Sequence, residues 1–375
     1  MQAPFRLLEA LRGTVEPGLI LATGVATATF AATPLVLPAV ADRFDIGTGA
    51  AGLFSAAQLG LFVVGSWGAP RLVVPSRRLF VVALIALAGA SCLSVVAPTF
   101  SVLVASRAIA GFSLGVLTWL AYSQVFGDNE RTGDIAVIGP LTGVFAAPLI
   151  GVALQAGDDR TVFCILAVLA LVPLASIPQF VVTAVDAGDR TRAVPQALVL
   201  IVALSLVTFG GAGVFVFLGA VAVDQYGMDP FVVSLVFAAN AAAGIPSARW
   251  RGARRFSGAW FLLPASFAAV LGFAHQQPVF WVLVTAWGFC FWMAIPGVYT
   301  LLAERSRFPA ERAGDAQAAM AAGRALAPLA GGVVVSTGGF DALGLAGAAV
   351  MLVAAVAMLA VERSGTGMND RGEPA

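Results

Sequence analysis

The sequence is short of charged side chains. It contains no lysine, so all 21 basic residues are arginine, and only 11% of the 375 residues are charged. A soluble globular protein has about 25% charged residues. Because a water-soluble fold of this length must cover a large surface with polar groups, the deficit excludes a soluble enzyme, a nucleic-acid-binding protein and a disordered chain. The 59% of hydrophobic residues indicates a protein whose main solvent is lipid.

Residue types that carry catalysis or bind metals are also scarce. His275 is the only histidine, which excludes a Ser-His-Asp triad and a histidine-based metal site by count. Cys92, Cys164 and Cys290 stand singly in apolar stretches, so they predict small packed side chains rather than disulfides or a zinc site. The glycine-rich loop that binds ATP phosphates does not occur. We therefore expect no enzymatic activity, no metal, no cofactor and no use of ATP.

Twelve apolar stretches are each long enough to cross about 30 Å of hydrocarbon as a helix. They run over residues 17–40, 48–68, 79–97, 100–126, 133–156, 161–184, 196–222, 230–248, 258–274, 278–302, 314–336 and 340–361. The loops between them are too short to hold a soluble domain. The sequence predicts an all-α integral membrane protein with twelve transmembrane helices.

The arginines are distributed unevenly over the two sides of this topology. All but four of the 21 fall on the side of the two termini, two lie on the opposite side (Arg43 and Arg160), and two lie inside spans (Arg107 and Arg324). Because cytoplasmic loops carry the excess of basic residues, we predict that both termini are cytoplasmic and that the protein resides in the cytoplasmic or plasma membrane. We call the arginine-rich side the inner end and the other side the outer end.

The chain contains an internal repeat. The run ERTGD at 130–134 returns as ERAGD at 311–315, and a Gly-x-x-x-Ala-Pro-Leu-x-Gly run at 143–151 returns at 323–331. The shift corresponds to six spans, which gives both copies the same orientation. Two parallel six-helix bundles are therefore predicted at 1–184 and 196–375, joined by a linker at 185–195, with a substrate path between them.

Several motifs resemble those of the major facilitator superfamily. The stretch 103–111 resembles its membrane Arg followed by Gly, and 143–151 resembles the Gly-Pro motif of its twelve-span drug–proton antiporter branch. The stretches 33–38 and 159–163 resemble that branch's Pro-rich helix end and its Trp-Arg-x-x-Phe element. The chain departs from the family at Ala69 and Ala248, where the loop after the second span usually carries an acid in the first copy. The resemblance implies transport of a small molecule by alternating access.

Arg107 and Arg324 are the main candidates for the substrate pathway. An intramembrane charge costs about 2.5–3.5 kcal/mol, so it indicates function, although a buried hydrogen-bond hub is the alternative. No Asp or Glu lies deeper than the second residue of a predicted span, which favours an anionic or neutral substrate over a cation. Helical spacing and depth complete the predicted pathway: Gln58, Arg107, Thr118, Trp119, Tyr122, Asn240, Trp287, Gln317 and Arg324. Packing is the alternative role for the aromatic residues, and an interhelical hydrogen bond for Gln58 and Asn240.

Two further groups have predicted roles in conformational change. Small residues and prolines are predicted to let helices pack closely and rock: Gly111, Gly115, Gly143, Pro148, Gly151, Gly323, Pro328 and Gly331. Charged residues at the inner end are predicted to pair when this end closes: Arg71, Arg77, Arg78, Asp134, Arg254, Arg255 and Asp315. The arginines could instead set topology and contact anionic headgroups.

The sequence alone favours proton-coupled efflux of a drug-like compound or metabolite, with the proton gradient as driving force. An uptake or exchange permease for a small organic anion is the first alternative, and a non-transporting membrane receptor is the second. We expect a monomer whose partners are the lipid bilayer and a small-molecule substrate.

Overall fold

The computed structural model of the chain describes residues 15–124, 129–180, 193–248, 250, 256–306 and 309–364, without the side chains of 129–134, 136–137, 248 and 309–311. Regular structure in these ranges is helical. The α-helices are α1 (Pro17–Arg43), α2 (Thr48–Leu72), α3 (Arg77–Val96), α4 (Phe100–Ser123), α5 (Asn129–Ala156), α6 (Asp159–Leu171), α7 (Pro195–Asp224), α8 (Pro230–Ala248), α9 (Ala259–Phe273), α10 (Gln277–Glu304) and α11 (Pro309–Arg363).

Nine of these helices are long and apolar enough to cross a membrane. This confirms the predicted all-helical, membrane-spanning architecture. Two predicted spans are not among the nine. The ninth corresponds to the shorter apolar helix α9, and in the sixth α6 ends at Leu171, where a short 3-10 turn follows at Val172–Ala175. Pro173 and Pro178 account for the early end, since proline lacks the backbone N–H that continues a helix and restricts the residue before it. The end of that predicted span, 181–184, lies outside the described residues.

Several helices begin at residues whose side chains satisfy free backbone N–H groups. Ser76 accepts a hydrogen bond from the Leu79 N–H at the start of α3, and Thr99 accepts one from the Val102 N–H at the start of α4. Asp158 accepts from two backbone N–H groups at the start of α6. Such caps contribute about 1 kcal/mol each and fix where the outer and inner turns lie.

The long helix α11 consists of two arms that run in opposite directions. Gly339 has φ 72° and ψ −169°, a conformation that suits glycine, and it separates the arms 309–338 and 340–363. The first arm follows α7 in the same direction, with Gly323 against Ser205 and Gly331 against Phe217. The second arm returns along α7, with Gly347 against Val214 and then Met351 against Gly210.

The two halves share a packing pattern that matches the internal repeat. In the first half, α2 and α4 approach so closely that a Cβ on Gly111 would lie 2.0 Å from the Gln58 carbonyl oxygen. In the second half, α8 and α10 do the same, and a Cβ on Gly288 would lie 2.1 Å from the Asn240 carbonyl oxygen. Glycine at these crossings permits contact between backbones. The predicted domain boundaries stay a prediction, because most of the linker lies outside the described residues.

Candidate substrate pathway

At the outer end the two halves are in close contact. The Pro34 carbonyl of α1 lies where a Cβ on Gly219 of α7 would be, and the Gly332 carbonyl of α11 lies 2.4 Å from the Cβ position of Gly49 in α2. On the other side, Gly151 of α5 packs against Ser234 of α8. We call the interface between the halves that contains these contacts the outer seam. It is closed because glycines allow the helices to touch.

At the inner end the halves separate. Within the described residues, α4 packs against neither α10 nor α11. Tyr122 of α4 is 39% exposed although it lies in a mainly apolar helix, and Gln317 and Arg324 of α11 are also exposed. The structure therefore has a cavity between the halves that is open towards the inner end.

Arg324 lies deep in this cavity. It is 15 residues from the start of α11, which corresponds to about 22 Å along the helix. Its Nε donates to the Met320 carbonyl at 3.4 Å, and no carboxylate within the described part of the chain pairs with it. The hydroxyl groups of Tyr122 from the first half and Tyr299 from the second lie within electrostatic reach of its guanidinium. Groups from both halves thus converge on one cation.

The Tyr299 hydroxyl adds a hydrogen-bonding group to this cavity. It lies beside the Gln317 side chain but is buried without a hydrogen bond of good geometry. A buried polar group without a partner is unfavourable by about 1–3 kcal/mol, so a ligand that supplies the partner gains that energy. Tyr299 therefore belongs with Arg324, Tyr122 and Gln317 as a candidate contact for substrate.

The other predicted cation, Arg107, lies elsewhere. Its side chain is 1% exposed, is enclosed by α3, α4 and α6, donates to Ser91 Oγ at 3.5 Å and stacks over the Phe163 ring at 5.0 Å. Its Nε has no hydrogen-bond partner. This arrangement favours the packing alternative over the predicted wet pathway, because the cavity between the halves does not reach the side chain.

The remaining predicted pathway residues mostly connect helices. Gln58 donates to Thr33 at 3.3 Å and Asn240 donates to the Val284 carbonyl at 2.6 Å, which agrees with the interhelical alternative. Trp287 is 4% exposed and packs in the core. Thr118 and Trp119 on α4 are half-buried, one turn outward from Tyr122.

The described residues of the predicted inner gate have other contacts or are exposed. Arg71 stacks on the Trp67 ring at 3.7 Å, and Arg77 and Arg78 are exposed. Asp315 pairs at 2.8 Å with Arg312 on its own helix. The described side chains therefore show no gate pair between helices, and the side chain of Asp134, with Arg254 and Arg255, lies outside the described ones. Residues three positions apart on a helix are neighbours, so the spacing of Arg312 and Asp315 is the sequence feature that indicates this local pair.

The packing motif forms contacts both within and between the halves. Gly111, Gly115, Gly323 and Gly331 face helices of their own half. Gly143 and Gly151 face α8 of the other half, at Ala241 and Ser234. Pro328 contributes its carbonyl to the seam opposite Gly52, and Pro148 is half-buried on α5.

Sequence reasoning missed an ion pair at the outer end. Arg43 Nη1 donates to Asp159 Oδ2 at 2.9 Å, and both side chains are buried, with 9% and 1% exposure. The sequence predicts both residues in outer loops, because each lies next to an apolar stretch. The two are 116 positions apart, so no local spacing could reveal the pair.

Comparison with known protein families and with curated proteins finds no match to this chain. Solved structures do match. A bacterial homologue of the human lysosomal transporter Spinster, in an inward-facing and occupied conformation, has 15% identity and a TM-score of 0.73 over 97% of this chain and 98% of that chain. Its inward-facing, unoccupied conformation has 14% identity and a TM-score of 0.66 over the same shares. The human organic anion transporter MFSD10 (TETRAN) has 15% identity and a TM-score of 0.64 over 95% and 100%.

The chain has the major facilitator fold. At this level of identity the likeness establishes architecture, and a substrate must be argued from the site itself. Transporters built from two repeated halves bind substrate between the halves, near the middle of the membrane. Arg324 of the second half lies within electrostatic reach of Tyr122 of the first half here.

Proposed function

We propose that this protein is a secondary transporter that moves a small amphipathic organic anion by alternating access. The observation that carries the proposal is Arg324, an exposed cation deep between two apolar halves, with no acidic partner in the described part of the chain. A charge at such a position is unfavourable unless a counter-charge is supplied. A substrate anion supplies it.

The geometry favours a particular kind of anion. A guanidinium presents parallel N–H donors that match a carboxylate or phosphate-like group. Tyr122 and Tyr299 each add an aromatic ring and a hydroxyl within electrostatic reach of it. A ligand with one anionic group and an apolar body fits this combination. MFSD10, a structural neighbour, is described as an organic anion transporter.

The proposed transport cycle follows from the difference between the two ends of the molecule, one closed and one open. The conformation described here is closed at the outer seam and open at the inner end, and the first structural neighbour is inward-facing. Rocking the halves would separate Gly219 from Pro34 and bring α4 towards α10 and α11. We further propose twelve spans, cytoplasmic termini in the cytoplasmic membrane, a monomer, and a proton gradient as driving force.

The test is flux of a fluorescent carboxylate dye into proteoliposomes. We expect Arg324→Gln to lower the rate at subsaturating dye by about tenfold to hundredfold, because a charge-assisted hydrogen bond contributes about 1.5–3 kcal/mol. Arg324→Lys should recover part of the rate. Arg160→Gln is the control, since Arg160 is exposed at the outer end with only a 3.9 Å contact to Asp158. Unchanged carboxylate flux in Arg324→Gln would overturn the proposal.

Proton-coupled efflux of a cationic or neutral drug is the second candidate. The feature that favours it is the run 143–151, which resembles an antiporter motif and faces α8 across the seam through Gly143 and Gly151. A fluorescent quaternary amine discriminates between the two functions. Efflux of the amine that is insensitive to Arg324→Gln would favour the drug antiporter. Absence of flux of any probe would favour the receptor alternative.

A further inference from the structure

The turn between α2 and α3 at the inner end exposes cationic and apolar side chains side by side. Leu72 and Val74 are 83% and 61% exposed, and Trp67 near the end of α2 is 57% exposed. Three arginines of the same turn are exposed as well. Because the turn follows the inner end of a membrane-spanning helix, it lies at the depth of the lipid headgroups. We call this set the basic turn: Trp67, Arg71, Leu72, Val74, Arg77 and Arg78.

The arginines of the basic turn have no counter-charge in the protein. None of the three forms an ion pair within the described part of the chain. Arg71 donates to the Trp67 carbonyl of its own helix, and its guanidinium lies 3.7 Å from the centroid of the Trp67 ring. Arg77 and Arg78 begin α3, where the positive end of the helix dipole disfavours cations. An anion from outside the protein is therefore their favourable partner.

The apolar members of the basic turn indicate which anion fits. A soluble anion gains nothing from Leu72 and Val74, whereas an anionic lipid places its phosphate at the arginines and its chains against the apolar side chains. Trp67 is a residue type that is enriched at headgroup depth. Each basic residue beside an anionic membrane surface strengthens the attraction about fivefold. The surface therefore fits an anionic phospholipid of the inner leaflet.

Trp67 connects the basic turn to the gap between the halves. Positions 49 and 67 differ by 18 residues, which is five helical turns, so both lie on the face of α2 that meets α11. On that face a Cβ on Gly49 would clash with the Gly332 carbonyl of α11, but a Cβ on Gly60 would meet nothing within 4 Å. The face is thus covered by α11 at the outer end and uncovered towards Trp67.

We propose that an anionic phospholipid binds the basic turn and stabilises the conformation that is open at the inner end. The lipid can occupy this surface while the α2 face at Trp67 is uncovered. Closing the inner end would bring the first arm of α11 towards that face, and the partly exposed carboxylate of Asp315 would compete with the lipid phosphate. Because a ligand that binds one state better shifts the population towards it, anionic lipid raises the open fraction. This regulation goes beyond the proposed transport activity and does not depend on the substrate.

The experiment measures the width of the inner end in nanodiscs without substrate. Nitroxide labels on Ala175→Cys and Ala303→Cys, two exposed inner positions of opposite halves, report this width by double electron–electron resonance. Cys92→Ser and Cys164→Ser remove the exposed native thiols. We expect the ratio of open to closed molecules to rise at least about fivefold between pure phosphatidylcholine and a mixture with about one third phosphatidylglycerol.

Replacing the three arginines together, by Arg71→Gln, Arg77→Gln and Arg78→Gln, should remove the response to phosphatidylglycerol. The response is compared rather than the width in phosphatidylcholine, because the same arginines are predicted to pair when the inner end closes. Arg363→Gln is the matched control, since Arg363 is an exposed inner arginine outside the basic turn, and it should keep the wild-type response. If the triple variant does not fold, Arg71→Gln alone carries the test and should weaken the response.

Inorganic phosphate added to phosphatidylcholine nanodiscs should leave the width unchanged, because it lacks the apolar chains. Four results would overturn the proposal: a wild-type width insensitive to phosphatidylglycerol, arginine variants that respond like the wild type, an equal loss of response in Arg363→Gln, or a shift reproduced by inorganic phosphate. The distances are read without substrate, so the outcome is separate from that of the Arg324 flux experiment.

Discussion

At the scale of single residues, the two membrane arginines differ in what surrounds them. Arg324 faces an open cavity and two tyrosines, whereas Arg107 is enclosed by neutral groups, with a long bond to Ser91 and the Phe163 ring as its recorded contacts. A buried charge with few hydrogen bonds contributes little net stability, because desolvation opposes the contacts that it makes. We therefore expect substitution of Arg324 to impair transport and substitution of Arg107 to leave transport largely intact.

We expect Arg107→Met to leave carboxylate flux within about twofold of wild type and to leave the Tm unchanged or raise it. Methionine is flexible and fills the apolar site without leaving a charge unpaired. Arg107→Ala should lower stability by about 2–5 kcal/mol, because it leaves a void in a core position. Scanning fluorimetry and proteoliposome flux measure the two effects. If Arg107→Met abolishes flux at an unchanged Tm, Arg107 belongs to the pathway after all.

Helical spacing could predict which residues share a face but not which face borders the cavity. Arg107, Thr118 and Tyr122 lie on one stripe of α4 by sequence, yet Arg107 is buried and Tyr122 is exposed. The difference arises because α3 and α6 cover the outer part of the stripe, while the inner part faces the gap between the halves. That environment depends on neighbouring helices, which periodicity within one helix does not describe. The Tyr299–Gln317 contact likewise joins two helices.

At the scale of helices, the outer seam is built from glycines that face carbonyl oxygens. A Cβ on Gly49 would lie 2.3 Å from Ser336 Oγ and 2.4 Å from the Gly332 carbonyl oxygen. Side chains do not tolerate such distances, so a larger residue must separate α2 from α11. Gly60, also in α2, has no such neighbour within 4 Å. The two positions therefore form a matched pair for testing the seam.

We expect Gly49→Val to shift the molecule towards the conformation open at the outer end. The valine methyl groups would clash with α11 and prevent closure. Nitroxide labels on Ser101→Cys and Gln276→Cys, two exposed outer positions of opposite halves, would report a longer distance by double electron–electron resonance in a protein whose exposed thiols are removed by Cys92→Ser and Cys164→Ser. Flux would fall by at least about tenfold. Gly60→Val should leave both measurements unchanged. A Gly49→Val protein with the wild-type distance would show that the outer seam does not control the conformation.

Most helix positions could be predicted from apolar length, and the exceptions have local causes. The stretch 161–184 is apolar throughout, but Pro173 and Pro178 end α6 early. The α11 reversal at Gly339 agrees with the predicted turn between 336 and 340, because Gly338-Gly339 is a turn signal. Which helices meet at the seam could not be predicted, since the repeat fixes relative orientation but not the contacts between the halves.

At the scale of the whole molecule, buried apolar residues form three groups. One group lies entirely in the first half and includes Phe80 and Leu117, and another lies entirely in the second and includes Phe261 and Leu302. The third contains residues of both halves at the outer end, among them Phe54 and Phe217. Each half thus has a core of its own, and a shared core joins them on one side only. This arrangement suits two rigid bodies that open at the inner end.

We expect the two halves to assemble when they are produced as separate chains, 1–184 and 196–375. Each retains its own core, and the shared core supplies the association. Affinity capture of a tag on one half should recover the other in about equal amount, and the pair should transport the carboxylate dye.

Phe217→Ala should weaken recovery at least about tenfold. Phe217 is fully buried against Gly52 across the seam, and Phe→Ala in a core costs about 3–5 kcal/mol. Phe261→Ala is the control: this ring is equally buried within the second half, so its loss should lower the Tm of that half while recovery is largely kept. Halves that do not co-purify, or equal losses of recovery for the two phenylalanines, would contradict a molecule built from two bodies joined at the outer seam.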